Sequence, residues 1–322
     1  MQISTFFDFC SGIGAGRLGL EQCGLSCVGH SDTSRLADKT YQILHGNDRN
    51  YGNLKRLNGK ELPPYDVLIA GFPCQTFSVI GRQAGFSDDR GQIIFHLSRL
   101  LQESKPKCFI LENVKGLVTH DDGKTIKTIM QELNNAGYIT SYRVISSLDC
   151  GVPQNRQRVY FVGFNKSLNL DISKFVWPQP VAVPPLKNFL IDDNNEPSDI
   201  DFQYLLNYLK NSTNISKNYS LTNFLKEEFL ILDTRMNDLR LYRNKVPTLR
   251  AQRDGIYYIR DHKLRYLTGY EALLLQGFPI DYAIRVKDSV SNRHLLMQAG
   301  NAMTVNVIHM LGEQIIKFFK EN

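Results

Sequence analysis

The first 165 residues alternate apolar runs with amphipathic ones, and that alternation restricts the fold more than any other feature of the chain. The runs "STFFDF", "LSCVGH", "DVLIA", "KCFILEN", "YRVISSL" and "RVYFVGF" are strand-like. Helical patterns such as "RGQIIFHLSRLLQES" and "GKTIKTIMQELNNAG" lie between them. Repeated βαβ units predict an α/β fold with a mostly parallel sheet covered by helices. "RVYFVGF" follows the preceding strand after a short link, which predicts an antiparallel addition near one edge. With 322 residues, 42% of them hydrophobic, the chain fills a large core and a second lobe.

Four prolines in the nine residues of "WPQPVAVPP" mark a composition break and a domain boundary. Beyond it lies a region rich in Asn, Asp and Leu, with a helix expected at "IDFQYLLNYLKN". "LTGYEALLLQGFP" reads as a helix with a capping box, Thr268 as N-cap and Glu271 three residues on, ending at Gly277. The final "NAMTVNVIHMLGEQIIKFFKEN" has an apolar helical face that must be buried, and we expect it to return to the first domain. The expected division is therefore 1–185 completed by 286–322, with a smaller domain at 186–285.

The start "MQISTFFDFC" lacks a basic stretch followed by a long apolar one, and no apolar run reaches the roughly 18 residues of a membrane span, so a cytoplasmic protein is expected. Six cysteines show neither CxxC pairing nor zinc-ligand spacing and should be reduced thiols, with no metal site. The formal charge is +6. Between Arg235 and Arg265, nine Lys/Arg face three Asp, with Tyr242, Tyr257, Tyr258 and Tyr266 within or beside them. Such a segment suits a nucleic-acid contact surface, or simply a solvated basic face.

"FFDFCSGIGAGRLGLEQCG" is a strand, a glycine-rich turn and a helix, and Asp32 follows the next strand, 20 residues beyond Gly12. Glycines admit a ligand close to the backbone, and a carboxylate there accepts hydrogen bonds from ribose hydroxyls, so a nucleoside-bearing cofactor is implied. Gly14-x-Gly16-x-x-Gly19 also matches the dinucleotide fingerprint, leaving open a Cys-dependent NAD dehydrogenase or a turn built only for strand–helix packing. In "GFPCQTFS", Cys74 follows the buried run "DVLIA", where open α/β sheets bind ligands, on a turn stiffened by Pro73. An inert buried thiol is the equal alternative. "ILENVKGL" ends another strand with Glu112 and Asn113; a desolvated carboxyl there has a raised pKa and suits proton donation to a ring nitrogen, or else caps or pairs. "GVPQNRQRVYFVGF" places Arg156 and Arg158 two residues apart entering a strand, on one face, to orient oxygen acceptors or to sit on a solvated edge.

Taken in this order, the glycine-rich turn, the Pro-Cys, the Glu-Asn and the Gln-x-Arg-x-Arg resemble the DNA (cytosine-5) methyltransferase family of prokaryotic restriction-modification systems. "RYLTGYEALLLQGFP" is similar to the motif linking the family's target domain to its core, and "QAGNAMTVNV" to its closing motif. The resemblance spans roughly residues 4–165 and 264–318 and displaces the dehydrogenase. It implies a Rossmann-like S-adenosylmethionine-dependent methyltransferase domain with a smaller target-recognition domain and duplex DNA in the cleft. The alternatives are the tRNA cytosine-5 branch of the same fold and a catalytically inactive DNA-binding module.

By this resemblance, Cys74 adds to carbon 6 of a flipped cytosine and Glu112 stabilises the ring at N3. Arg158 holds O2 and supports Glu112, Pro73 shapes the turn, and Asn113 and Arg156 orient or support. The cofactor would lie against Asp8, Cys10, Ser11, Gly12, Ile13, Gly14, Asp32, Thr33, Asn53, Leu54, Gly71, Asn301 and Ala302. The segment after Cys74 reads as a functional lid, with Gln75, Ser78, Ile80 and Arg82 toward DNA and Ile80 filling the space of the flipped base. Arg235, Arg240, Arg243, Arg250 and Arg253 would contact DNA, with Thr248 and Gln252 nearby. Cys10, Thr33 and Asn53 depart from the family's usual residues on the adenine side, which implies a weaker grip on S-adenosylmethionine. The expected partners are double-stranded DNA and a cognate endonuclease without a stable complex, the protein itself being a monomer.

Overall fold

The computed structural model describes residues 1–72, 93–193, 195–197, 199–211, 214, 217, 219–236, 238–251 and 254–322. Their contacts form two compact units. One is Met1–Ser146, Gln157–Pro180 and Ala302–Asn322; the other is Ser147–Arg156 and Val181–Asn301.

The first unit holds β1 (Thr5–Phe9), β2 (Ser26–Ser31), β3 (Val67–Gly71), β4 (Cys108–Val114) and β5 (Tyr138–Ser146). After the two-residue strand β6 (Gln154–Asn155), which belongs to the second unit, comes β7 (Gln157–Asn165). The sheet order is β2-β1-β3-β4-β7-β5, with β1 to β4 parallel and β7 antiparallel to both its neighbours. The antiparallel strand therefore enters between β4 and β5, and β5 forms the edge. Composition explains the placement: Val159 to Phe164 are buried without a break, whereas β5 carries exposed Ile139 and Tyr142 among polar residues.

Helices α1 (Ala15–Glu21), α2 (Arg35–His45), α3 (Ile93–Ser104) and α4 (Lys124–Asn135) complete the βαβ pattern. Phe7, Phe9 and Leu68 from the sheet pack with Leu97 and Leu100 of α3 and Ile129 and Leu133 of α4 in one core. The amphipathic C-terminal helix Val305–Glu321 returns to this unit, as its apolar face requires, and packs on α1.

The second unit is built on a four-stranded antiparallel sheet, ordered by residue range as Lys263–Tyr266, Ile256–Arg260, Ile231–Asp233, Arg240–Tyr242. Leu205 of the helix Asp199–Leu209 packs with Phe224, Leu232, Ile259 and Leu264. The capping box of Thr268 and Glu271 is present, and its helix runs Gly269–Leu274, with Gly277 in the following turn at φ 86°. The compact units divide the chain differently from the 1–185 and 186–285 expectation. Ser147–Arg156 joins the second unit because β6 pairs with Val246–Pro247. Helix Asn292–Asn301 joins it because Gly269 leaves no room for a Cβ, which would lie 2.3 Å from Leu295 Cβ. Among the described residues, no helix is long and apolar enough to cross a membrane.

Candidate active site

Chain connections leave β1 toward β2 on one side and toward β3 on the other, the reversal at which open α/β sheets form a ligand crevice. The carboxyl ends of β1, β2, β3 and β4 bring residues 10–14, 31–33, 71–72 and 112–113 to one edge of the sheet.

The turn after β1 is held from several directions. Cys10 takes a left-handed φ of 51°, and Gly12 and Gly14 take 56° and 82°. Asp32 Oδ2 accepts from the Gly12 amide at 2.8 Å, and its Oδ1 accepts from the Ser34 amide at 2.7 Å. The acid at the end of β2 thus ties that strand to the glycine turn. Among the described residues, a Cβ on Gly12 would meet nothing within 4 Å, so its outer side is open toward them. Ser11 Oγ is buried and takes no hydrogen bond among the described residues. Ile13 is buried, and Thr33 is exposed. Asn53 caps the short helix Leu54–Arg56, its Oδ1 accepting from the Lys55 amide at 3.0 Å, and Leu54 itself is buried in the core. Burial pushes the Cys10 thiol far above its ordinary pKa, so it is protonated.

Asp8 does not face the crevice. It is 0% exposed and lies under α1, its Oδ1 3.3 Å from where a Gly16 Cβ would stand. Burial raises its pKa to about 8, against the opposing pull of the Arg17 backbone amide and guanidinium. The carboxyl is thus buried beneath the first turn of α1.

At the next strand ends, Glu112 is 7% exposed and its Oε1 lies 3.2 Å from Arg158 Nε. Asn113 Nδ2 donates to the Phe72 carbonyl at 3.1 Å, and the Phe72 amide donates to the Glu112 carbonyl at 3.2 Å, so β4 fixes the backbone just before Pro73. Gly71 has Glu112 Oε2 and Met303 Cγ within 3.5 Å of its would-be Cβ. Pro73, Cys74, Gln75, Ser78, Ile80, Arg82, Gln252 and Arg253 lie outside the described residues.

Arg156 and Arg158 do not act from a common face. Arg156 sits in the break between β6 and β7, where strand periodicity lapses, and its Nη1 donates to the carbonyls of Leu249 and Gly300. Arg235 is likewise no open DNA contact: it forks onto Asp233 through Nε and Nη2 at 2.6 and 2.9 Å, and its side chain is 5% exposed. Arg243 forks onto Glu227, Arg260 pairs with Asp193, and Lys263 pairs with Glu196. The local charge surplus is thus largely met by acids outside residues 235–265. Arg240, 3.7 Å from Asp238, and Arg250 remain exposed. Arg235 and Arg250 line a cavity of about 270 Å³ with Tyr257, Tyr266, Asn292 and Arg293. Asn301 is exposed and Ala302 buried, at the point where the chain passes from the second unit to the first.

Two residues at the crevice escaped sequence reasoning. Met303 packs beneath both Gly16 and Gly71, and His45 contacts the glycine turn. Met303 lies within the closing motif "QAGNAMTVNV", but a lone methionine carries no chemical signal.

The sequence model for C-5 cytosine-specific DNA methylases matches residues 4–317. The Type II methyltransferase M.NlaX of Neisseria lactamica is 35% identical over 317 residues, covering 96% of this chain and 95% of its own. M.HaeII of Haemophilus aegyptius is 33% identical over 319 residues, covering 96% and 92%. The solved structure of the S. pombe Dnmt2 methyltransferase superposes with a TM-score of 0.69 over 99% of both chains at 17% identity, a likeness of fold.

Proposed function

Because the chain belongs to the family of C-5 cytosine-specific DNA methylases and methylates DNA cytosine at carbon 5, we propose that it draws the methyl group from S-adenosylmethionine and works through a covalent adduct of Cys74. The target is a flipped cytosine in a short duplex sequence. The residues of the glycine turn fit such a cofactor: among the described residues, Gly12 has open space beside it and Ser11 Oγ lacks a partner, and Asp32 already organises the turn. Ser11, Gly12, Ile13, Gly14, Asp32, Gly71 and Ala302 would hold it, with Cys10, Thr33 and Asn53 giving a weaker adenine grip than usual. When bound, it supplies an electrophilic sulfonium methyl.

Carbon 5 of cytosine is a poor nucleophile until a thiolate adds at carbon 6, which is the work of Cys74. Glu112 gives a proton or hydrogen bond to N3 as negative charge enters the ring. Arg158 holds Glu112 and the base's O2, Asn113 anchors the backbone leading to Cys74, and Arg156 braces the second unit. Once carbon 5 carries the methyl group, its proton passes to water, the electron pair forms the carbon 5–carbon 6 double bond, Cys74 leaves as thiolate, and Glu112 takes back the N3 proton. Residues 186–285 supply target recognition, with Arg240 and Arg250 toward DNA, while Gln75, Ser78, Ile80 and Arg82 line its path. A monomer in the cytoplasm with a cognate endonuclease encoded nearby completes the reading.

The observation that supports the catalytic reading is the buried Glu112–Arg158 pair: a carboxyl with a cation beside it on β4, the strand paired with β3, after which Cys74 follows in the sequence. The test is methyl transfer from labelled S-adenosylmethionine to unmethylated genomic DNA and to bulk tRNA, beside Cys74→Ser. Label in DNA that vanishes in the variant supports the reading, and bisulfite sequencing then gives the target. Label in tRNA alone moves the protein to the RNA branch.

A further inference from the structure

We infer that His45 is a positioning residue for the cofactor turn, holding the backbone at Ile13–Gly14 in its ligand-binding shape through a single N–H. His45 is the last residue of α2, and its Nε2 lies 3.2 Å from the Ile13 carbonyl oxygen. A carbonyl only accepts, so Nε2 carries the proton. Burial lowers the pKa of His45 to about 3, so at neutral pH the ring is uncharged and donates as a neutral imidazole.

The contact is built and not incidental. A Cβ on Gly14 would stand 2.3 Å from His45 Nε2 and 2.9 Å from Tyr41 Cε2, so residue 14 has room for nothing larger than hydrogen. Tyr41 lies against His45 with ring centroids 4.7 Å apart, and its other neighbour His30 stacks on it at 3.8 Å. Arg17 Nη1 donates to the Tyr41 hydroxyl at 3.3 Å, which ties the column to α1. The turn is therefore gripped twice: Asp32 holds the Gly12 amide from β2, and His45 holds the Ile13 carbonyl from α2. Two fixed points with a single peptide unit between them leave Ser11 to Gly14 little freedom to relax, so a ligand meets the turn already ordered, and less affinity is lost to ordering it on binding.

The inference rests on the reading of this turn as the S-adenosylmethionine site, and the experiment separates the two. Dissociation constants for S-adenosylmethionine and for duplex DNA are measured on the full chain for wild type, His45→Gln, His45→Asn and Asp32→Ala. Glutamine reaches far enough to donate to the Ile13 carbonyl, and asparagine, one methylene shorter, does not. We expect Asn to weaken S-adenosylmethionine binding about ten-fold and Gln to recover most of it, with DNA affinity and kcat at saturating cofactor unmoved. Equal affinities for the Gln and Asn variants, with Asp32→Ala impaired, overturn the role of His45 alone. If Asp32→Ala also binds as wild type, the cofactor reading of the turn falls and the inference with it.

Discussion

Arg158 Nε and Glu112 Oε1 are 3.2 Å apart on neighbouring antiparallel strands, Arg158 standing opposite Val114, two residues beyond Glu112. The pair is diagonal across the ladder, a geometry in which long side chains meet on one face. Their side chains are only 15% and 9% exposed, so removing the cation takes a counter-charge away from a buried carboxylate. Arg158→Ala should destabilise the protein by about 3 kcal/mol and lower kcat by about 100-fold or more. Glu112→Gln should lose similar activity with less stability, and the double variant should be more stable than Arg158→Ala. Urea titrations beside steady-state kinetics check the three together; a double variant no more stable than the single one removes the argument.

Arg235 and Arg250 lie 15 residues apart in the same basic segment yet should respond in opposite ways. Arg235→Ala breaks the buried fork with Asp233 and should cost about 3 kcal/mol of stability. While the variant is folded, the salt dependence of its DNA binding should match wild type. Arg250→Ala, on the surface, should leave stability within about 0.5 kcal/mol and reduce the logarithmic salt slope by about 1. DNA affinity measured from about 50 to 200 mM salt distinguishes them.

That contrast also shows where sequence reasoning stops. The alternation of strands and helices, the capping box at Thr268 and the return of the C-terminal helix are local or periodic signals, and each appears in the structure. The same holds for Glu112 and Asn113, because a strand's end is visible in its apolar run. Charge is different: the surplus over residues 235–265 was counted along the chain, whereas Glu227, Asp233, Asp193 and Glu196 reach it through space. Arg156 and Arg158 were placed on one face by strand periodicity, which a break at a single residue cancels. His45 was invisible because its partner is a backbone carbonyl 32 residues away.

Stability should fall as pH rises from about 6.5 to 8, above the range in which the lowered pKa values of buried His45 and His30 act in the opposite direction. Burial holds the Glu271 carboxyl up to about 7 from 4.5, and that of Asp8 up to about 8 from 3.8. Both folded-state values are raised, so between the ordinary and the raised pKa the unfolded chain has released a proton that the folded protein keeps. Unfolding therefore releases protons in this window, and their contribution is full below about pH 4 and lost as pH passes 7 to 8. For Glu271, whose carboxylate accepts from Tyr258 and from the amides of Asp192 and Thr268, the loss is on the order of 3 kcal/mol. Calorimetric Tm values across this range should decline, and Glu271→Gln and Asp8→Asn should each flatten the decline. A Tm that rises from about pH 6.5 to 8 in wild type contradicts the assignment.

The match Gly14-x-Gly16-x-x-Gly19 has three separate physical reasons, and the third predicts the largest packing defect. Gly14 is needed for its φ of 82° and for His45, while a Cβ on Gly16 would meet the flexible end of Met303 at 2.6 Å. At Gly19 the Cβ would lie 2.7 Å from Ile308 Cβ and 2.9 Å from the Val305 carbonyl oxygen, both close to or part of the backbone of the C-terminal helix. Met303 can turn aside, but that helix cannot without sliding off α1. Alanine favours a helix by about 1 kcal/mol over glycine, so Gly16→Ala should be near neutral in stability. Gly19→Ala meets overpacking of about 1–3 kcal/mol and should be net destabilising by about 1–2 kcal/mol. Its urea midpoint should drop while that of Gly16→Ala holds. If the two midpoints move together, the close approach of α1 to Val305–Glu321 is not what requires glycine at position 19.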